Sequence, residues 1–181
     1  MIQRILEEGC FEVAQRWIPE ALHANRWDCP EAVELSKWRD FLPANLPSNA
    51  IKPLSSYPLD MALGHAVQTR NKAVHRHLCD NNEIRRMALQ AQNMMYMFSD
   101  VTRSEKMHHL WVELNNWDSR NRGDPQGARQ QLEAVLKVIS ERPVDDMDWT
   151  PNAVSLQEVT NDTDTQQTND EYFYGEEMDL D

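Results

Sequence analysis

Between Ile2 and Ile139 apolar side chains return every three or four residues, segment after segment, and the interruptions are prolines and polar clusters rather than glycines. That spacing is the period of an amphipathic helix, whereas a half-buried strand alternates every second residue. The chain has only five glycines, little clustering of β-branched residues, and many Leu, Met, Ala, Gln, Glu and Arg, all of which favour helix over strand. The expected fold is therefore all-α.

The segments follow from the same pattern. Residues 1–24 predict a first helix with Ile2, Ile5 or Leu6, Cys10, Val13 or Ala14, Trp17 or Ile18 and Ala21 or Leu22 inward, bent near Pro19. Asp28-Cys29-Pro30-Glu31 has the form of a helix start, with Ala32, Leu35, Trp38 and Phe41 as its apolar face and Pro43 as its end. Four prolines and several serines and asparagines make residues 43–58 a long loop. Leu59, Ala62, Leu63, Ala66, Val67, Ala73, Val74 and Leu78 then define a central helix. After a cap at Asp80–Glu83, a helical pattern runs from Ile84 to Leu114; the part after Ser99 and Asp100 is either a continuation or a separate helix of similar direction, and one long helix kinked there is the preferred reading. Thr102 and Glu105 have capping-box spacing within it. Asn115–Gly123 reads as a polar connection, and Asp124-Pro125 opens a last helix with Leu132, Val135, Leu136 and Ile139 inward, closed by Pro143. Counting these gives a bundle of about five helices.

A length of 181 residues suits one domain with an appendage. The formal charge of −12 is unevenly placed: Val144–Asp181 holds 12 acidic residues and no Lys or Arg, leaving 18 acidic and 18 basic residues up to Pro143. Residues 1–143 are thus the expected helical domain. Residues 144–181, rich in Asp, Thr, Asn and Gln, cannot bury enough apolar surface to offset the entropy of ordering, and are expected to be an acidic disordered tail. Because the body is neutral, the acidity of the whole chain does not exclude a polyanionic partner. Cys10, Cys29 and Cys79 are too few, and in no metal-ligand spacing, to suggest a disulfide framework. Acids lie among the first eight residues, where a signal peptide would be apolar, and no run approaches the roughly 20 apolar residues of a membrane span. A cytoplasmic or nuclear protein with no membrane partner is expected.

Chemistry concentrates in Thr69-Arg70-Asn71-Lys72-Ala73-Val74-His75-Arg76-His77, within the central helical pattern. A fixed cation, an imidazole that titrates near neutrality and an orienting amide are the parts needed to cleave a phosphodiester. Helical geometry restricts how they combine. Residues five apart lie about 140° apart around the axis, so Arg70 and His75 do not share a face, whereas Asn71 and His75 do. Arg70 falls on the apolar stripe, where its charge needs a partner or an interface groove. One reading makes Arg70 the partner of an acid on another helix and His75 a surface imidazole; the other makes them half of a site completed by a second helix or subunit.

The segment Arg70-Asn71-Lys72-Ala73-Val74-His75 resembles the Arg-polar-x3-His motif of the HEPN superfamily, all-helical proteins that often act as metal-independent ribonucleases. With Arg76, Trp38 and Pro30-Glu31-Ala32-Val33-Glu34-Leu35 it is also similar to a group of uncharacterised fungal proteins, over roughly residues 25–115. The superfamily resemblance implies a homodimer in which Arg and His of two protomers approach each other. It further implies His75 as general acid or base, Arg70 as stabiliser of phosphorane charge and Asn71 as the orienting group, with no metal or other cofactor. Lys72, Arg76 and His77 would then hold an RNA backbone, with Arg85 and Arg86 widening the basic patch. Paired arginines such as Arg85 and Arg86 are equally an ordinary solvated face.

Other candidates carry less. His75, His77, His108 and His109 do not share a helix face at their spacings and complete no zinc ligand set. His65 reads as a packed or hydrogen-bonded helix histidine. Met94-Met95-Tyr96-Met97-Phe98 reads as core or dimer contact, and the tryptophans as packing where helices meet. The Tyr172–Asp181 stretch mixes aromatic and acidic residues, a composition suited either to solubility or to binding a basic protein partner, and the tail could compete with RNA for the basic patch. Two functions follow: an RNA-cleaving or RNA-binding protein, or a non-enzymatic helical adaptor whose acidic tail recruits a partner.

Overall fold

The computed structural model describes residues 1–140, the side chain of Asp118 excepted, and every element in them is helical. The helices are α1 (Ile2–Trp17), α2 (Pro19–Ala24), α3 (Leu35–Asn45), α4 (Leu59–Val74), α5 (Asn81–Met97), α6 (Val101–Gly123) and α7 (Pro125–Ser140), with a short 3-10 turn at Pro30–Ala32. The all-α expectation holds, with seven α-helices in place of about five. Pro143 and the expected disordered tail of residues 144–181 lie outside the described residues. None of the described helices is long and apolar enough to cross a membrane.

Two expected helices divide at identifiable causes. Pro19 disfavours helical geometry at the residue before it, and Ile18 takes φ −140° and ψ 47°, so the first helix breaks into α1 and α2. Past the 3-10 turn, Val33 and Glu34 are extended and α3 begins afresh at Leu35. Pro43 does not end α3, which continues to Asn45. Its missing N–H falls on an exposed face in the last turns, where Leu46 N–H still donates to Leu42 O (2.9 Å) and Asn45 Nδ2 to Phe41 O (2.8 Å).

The largest correction concerns the long kinked helix. At Ser99 the backbone enters the left-handed region (φ 58°), Ser99 N–H donates to Tyr96 O and Asp100 N–H to Met95 O, and α5 stops. Asp100 then caps α6 by accepting from Arg103 N–H at 2.9 Å, in place of the Thr102–Glu105 box. The two helices fold back as an antiparallel hairpin: Ser104 Oγ reaches Gln92 O and Asn81 Nδ2 reaches Leu114 O. α6 also runs through Asn115–Gly123, the stretch expected to be a connection. The start of α7 is as expected, with Asp124 accepting from Gly127 N–H at 2.9 Å and Pro125 in the first turn.

α1 lies against α3, α4, α5 and α6, which explains why both members of its ambiguous pairs, Ile5 with Leu6 and Val13 with Ala14, are buried. Gly9 lets it sit close to α5: a Cβ there would lie 2.5 Å from Met95 Sδ. Met94, Met95, Met97 and Phe98 are core, and only Tyr96 of that run is exposed. Trp38 is fully buried, and Trp27 meets it edge to face at 5.4 Å and Phe41 at 4.7 Å. Such pairs contribute roughly 0.5–1.5 kcal/mol each beyond their burial. The loop after α3 is anchored through Ala50, Ile51, Leu54 and Tyr57, and Lys52 N–H donates to Met97 O at 2.8 Å.

Candidate functional site

α4 buries Ala62, Leu63, Ala66 and Thr69, and the apolar stripe ends there. Ala73 is exposed, Val74 is half exposed and Leu78 is fully exposed, so the stripe expected to continue to Leu78 does not. The helix itself stops at Val74. Arg76 takes φ 50°, its N–H donates to Ala73 O (3.3 Å), and His77 N–H donates back to Lys72 O (3.0 Å). This is a Schellman closure with arginine where glycine is usual. His75 is therefore the cap of α4, with its N–H still donating to Asn71 O at 3.0 Å, and His77 lies beyond the helix.

Arg70 sits just past the last buried turn, with its side chain one-fifth exposed. Its guanidinium donates to Glu34 Oε1 at 2.7 Å, joining α4 to the residue that precedes α3, and to Asn71 Oδ1 at 3.3 Å. The partner that its position on the stripe required is thus a carboxylate of the same chain. Glu7 on α1 lies in the same field. Burial pushes its pKa up, and the nearby Glu31 and Glu34 push the same way, against the Gln3 amide and Arg70. Arg70 thus pairs with Glu34 and interacts with Glu7, a setting that opposes a phosphate.

The remaining candidates separate into two groups. Lys72 pairs with Glu83, which also stands 3.7 Å from Arg86. Arg85 donates to Asn82 and reaches Asn115 Oδ1 at 3.3 Å, a tie between α5 and α6, while Arg86 is solvated. The second group is the turn itself. His75, Arg76 and His77 are exposed, and the two imidazoles tilt against each other with centroids 6.0 Å apart. Asn71 turns its oxygen to Arg70. The structure accordingly places Arg70 and Asn71 at the α3–α4 joint and His75, Arg76 and His77 at the α4–α5 turn, rather than gathering them in one cleft.

Among the described residues no group of three or more His, Cys, Asp or Glu side chains is placed to hold a metal ion. Cys10 is fully buried, and burial followed by the charge of Glu7 raises its pKa, so it is an inert thiol; Cys29 and Cys79 are partly exposed.

Two polar constellations bring together residues that the sequence does not pair, although His65 is hydrogen-bonded as expected. Tyr57 Oη lies 2.8 Å from His65 Nδ1 with the rings stacked, and burial pushes the phenol to about 12. Arg103 makes a forked contact to Glu12 (2.6 and 2.8 Å), meets Asp100 at 2.7 Å and lies 3.6 Å from Glu8, joining α1 to α6. Burial opposes its charge, but the Glu12 and Asp100 carboxylates more than offset this and hold its pKa above the ordinary arginine value. No local signal marks the second, because Glu12 and Arg103 stand 91 residues apart.

Comparison with protein-family models, curated proteins and solved structures finds no match for this chain.

Proposed function

We propose that the chain is a non-enzymatic helical interaction module whose binding face is the α4–α5 turn, from Val74 to Leu78 with Arg86 beside it. The observation that carries this reading is the commitment of Arg70 to Glu34 at 2.7 Å, which uses the motif's fixed cation to join two helices. What is left at the surface is a cationic and apolar turn, a composition suited to an acidic partner with hydrophobic side chains. Three unbridged thiols suit a reducing compartment, the cytoplasm or nucleus.

A second reading is favoured by one observation: His75 and His77 stand exposed side by side on that turn. In it the chain is a HEPN-like dimer acting on RNA, with the His75 of each protomer brought to the Arg70 of the other. Arg70 would then have to leave Glu34.

Incubating purified protein with mixed RNA in EDTA, beside Arg70→Ala and His75→Ala, separates the two. An inert parent protein is expected. Cleavage by the parent that both substitutions abolish would overturn the first reading in favour of the second.

A further inference from the structure

The α4–α5 turn is the place where this neutral body is most basic. Residues 70–86 carry five Lys and Arg against two acids, with His75 and His77 in addition. Both acids are occupied: Asp80 accepts from Glu83 N–H to cap α5, and Glu83 pairs with Lys72. Arg86 has a side chain 64% exposed, and Arg76 is exposed at the left-handed turn position. Next to these cations Leu78 is fully exposed and Val74 half exposed. A lone surface leucine is ordinary, but a fully exposed one four residues after a half-exposed valine, with the exposed Arg76 between them, puts two apolar side chains and a cation on one short turn.

The chain also contains the complement. Asp170–Asp181 holds six acids and no base, interleaved with Tyr172, Phe173, Tyr174, Met178 and Leu180. We propose that this terminal segment docks on the α4–α5 turn of its own chain, its acids against Arg76 and Arg86 and its aromatic residues against Val74 and Leu78. The inference rests on the reading of this turn as the binding face, and adds that the chain regulates that face itself by covering it.

Reach and affinity allow this. The last described residue, Ser140, accepts from Arg4 Nη2 at the start of α1 (2.6 Å). The thirty residues from there to Asp170 can span roughly 100 Å when extended, against a radius of gyration of about 14 Å for a body of this size. A tether of that kind supplies an effective concentration on the order of millimolar, so a contact with a dissociation constant near a tenth of that would be mostly closed. Weak electrostatic and apolar contacts suffice. An external acidic partner would have to displace the tail, which sets a threshold for binding.

Cys79 reports on the contact, because it lies beside Leu78 and is partly exposed, with its Sγ donating to His77 O at 3.6 Å. In the full-length chain, Gly175→Cys places a thiol within the proposed docking segment. Mild oxidation followed by peptide mapping should give an intramolecular bond to Cys79 about tenfold faster than to Cys29, since docking raises the local concentration at one of them. Roughly 0.5 M salt, Arg76→Glu or Leu78→Asp should each slow that bond several-fold, and neither surface substitution touches the core. Equal rates at Cys79 and Cys29, or bonds formed mainly between two chains, would overturn the proposal. Loss of the cross-link would leave the interaction-module reading standing. RNA cleavage in the preceding assay would instead remove that reading without explaining a cross-link.

Discussion

Arg103 and Arg70 each join helices that are distant in sequence, but they do so in opposite surroundings. Arg103 is 13% exposed and is held by three carboxylates of comparable or modest exposure, Asp100, Glu8 and Glu12. Arg70 is 21% exposed, and its partner Glu34 is 61% exposed. The first is a partly dehydrated network in which several charges depend on one cation, and the second is a surface pair screened by water. The arginine that draws attention in the sequence is thus the weaker of the two as a structural tie, and its neighbourhood is the more open to solvent. Arg103→Ala should break the comparison most sharply. It removes the forked partner of Glu12 and a cation from beside Asp100 and Glu8 at the α1–α6 joint. The cost should be about 3 kcal/mol, the low end for breaking a buried pair because Glu12 is one-third exposed and Asp100 and Glu8 keep other partners. Arg70→Ala should cost less than about 1 kcal/mol. Urea unfolding of both variants checks this, and equal losses would show that the Glu34 pair is as well shielded as the Arg103 network.

The joint held by Arg103 is also held by close packing, and Gly9 tests that part separately. An alanine methyl at this position would fall 2.5 Å from Met95 Sδ and 2.6 Å from Met95 Cε, and Met95 is fully buried. A surface methionine would swing away; this one has little room. Gly9→Ala should therefore destabilise by about 1–3 kcal/mol through overpacking. In a Met95→Ala background the added methyl fills vacated space, so the cost should vanish or reverse. A cost that persists unchanged in that background would place the clash elsewhere than at Met95.

The starts of α5 and α7 were legible in the sequence, whereas those of α3 and α6 and the ends of α2, α4 and α5 were not, for a reason that is physical. Asp80 and Asp124 cap through bonds to a backbone N–H three residues on, a purely local device with a residue-type signature. The ends after α2, α4 and α5 use the left-handed conformation that glycine or asparagine normally marks, but here Arg26, Arg76 and Ser99 occupy it. Without that signal α4 seemed to run on to Leu78, and the α5–α6 hairpin read as one long helix. The candidate site was legible to the same extent. That Arg70 needed a partner followed from the apolar stripe, but Glu34 as that partner, and His75 as the cap of α4, depend on tertiary packing and on where the helix stops.

That reading of the turn has its own test, smaller than the two above. A left-handed non-glycine residue costs on the order of 1 kcal/mol, so Arg76→Gly should raise stability by about that amount. Ser99→Gly and Arg26→Gly should act in the same direction. A loss of stability on Arg76→Gly, seen in thermal unfolding, would mean that the arginine side chain contributes contacts exceeding the strain it carries.

The smallest effect belongs to Glu7, on the α1 side of Arg70, and it distinguishes the two arginine regions by pH. Burial holds the Glu7 carboxyl above its ordinary pKa, so its neutral form is the one the fold prefers. The sign follows from linkage: ionised Glu7 lowers stability at all pH values above its folded pKa. That penalty is relieved as pH falls through the folded value and is gone below the unfolded one. Glu7→Gln should therefore raise the melting temperature at neutral pH, keep the hydrogen bond from the Gln3 amide, and lose its advantage at about pH 3.5. Because Arg70 lowers the pKa of Glu7, the gain from Glu7→Gln should be larger in an Arg70→Ala background than in the parent. An advantage that is independent of both pH and Arg70 would show that Glu7 acts through packing, and would leave Glu34 as the carboxylate that Arg70 answers.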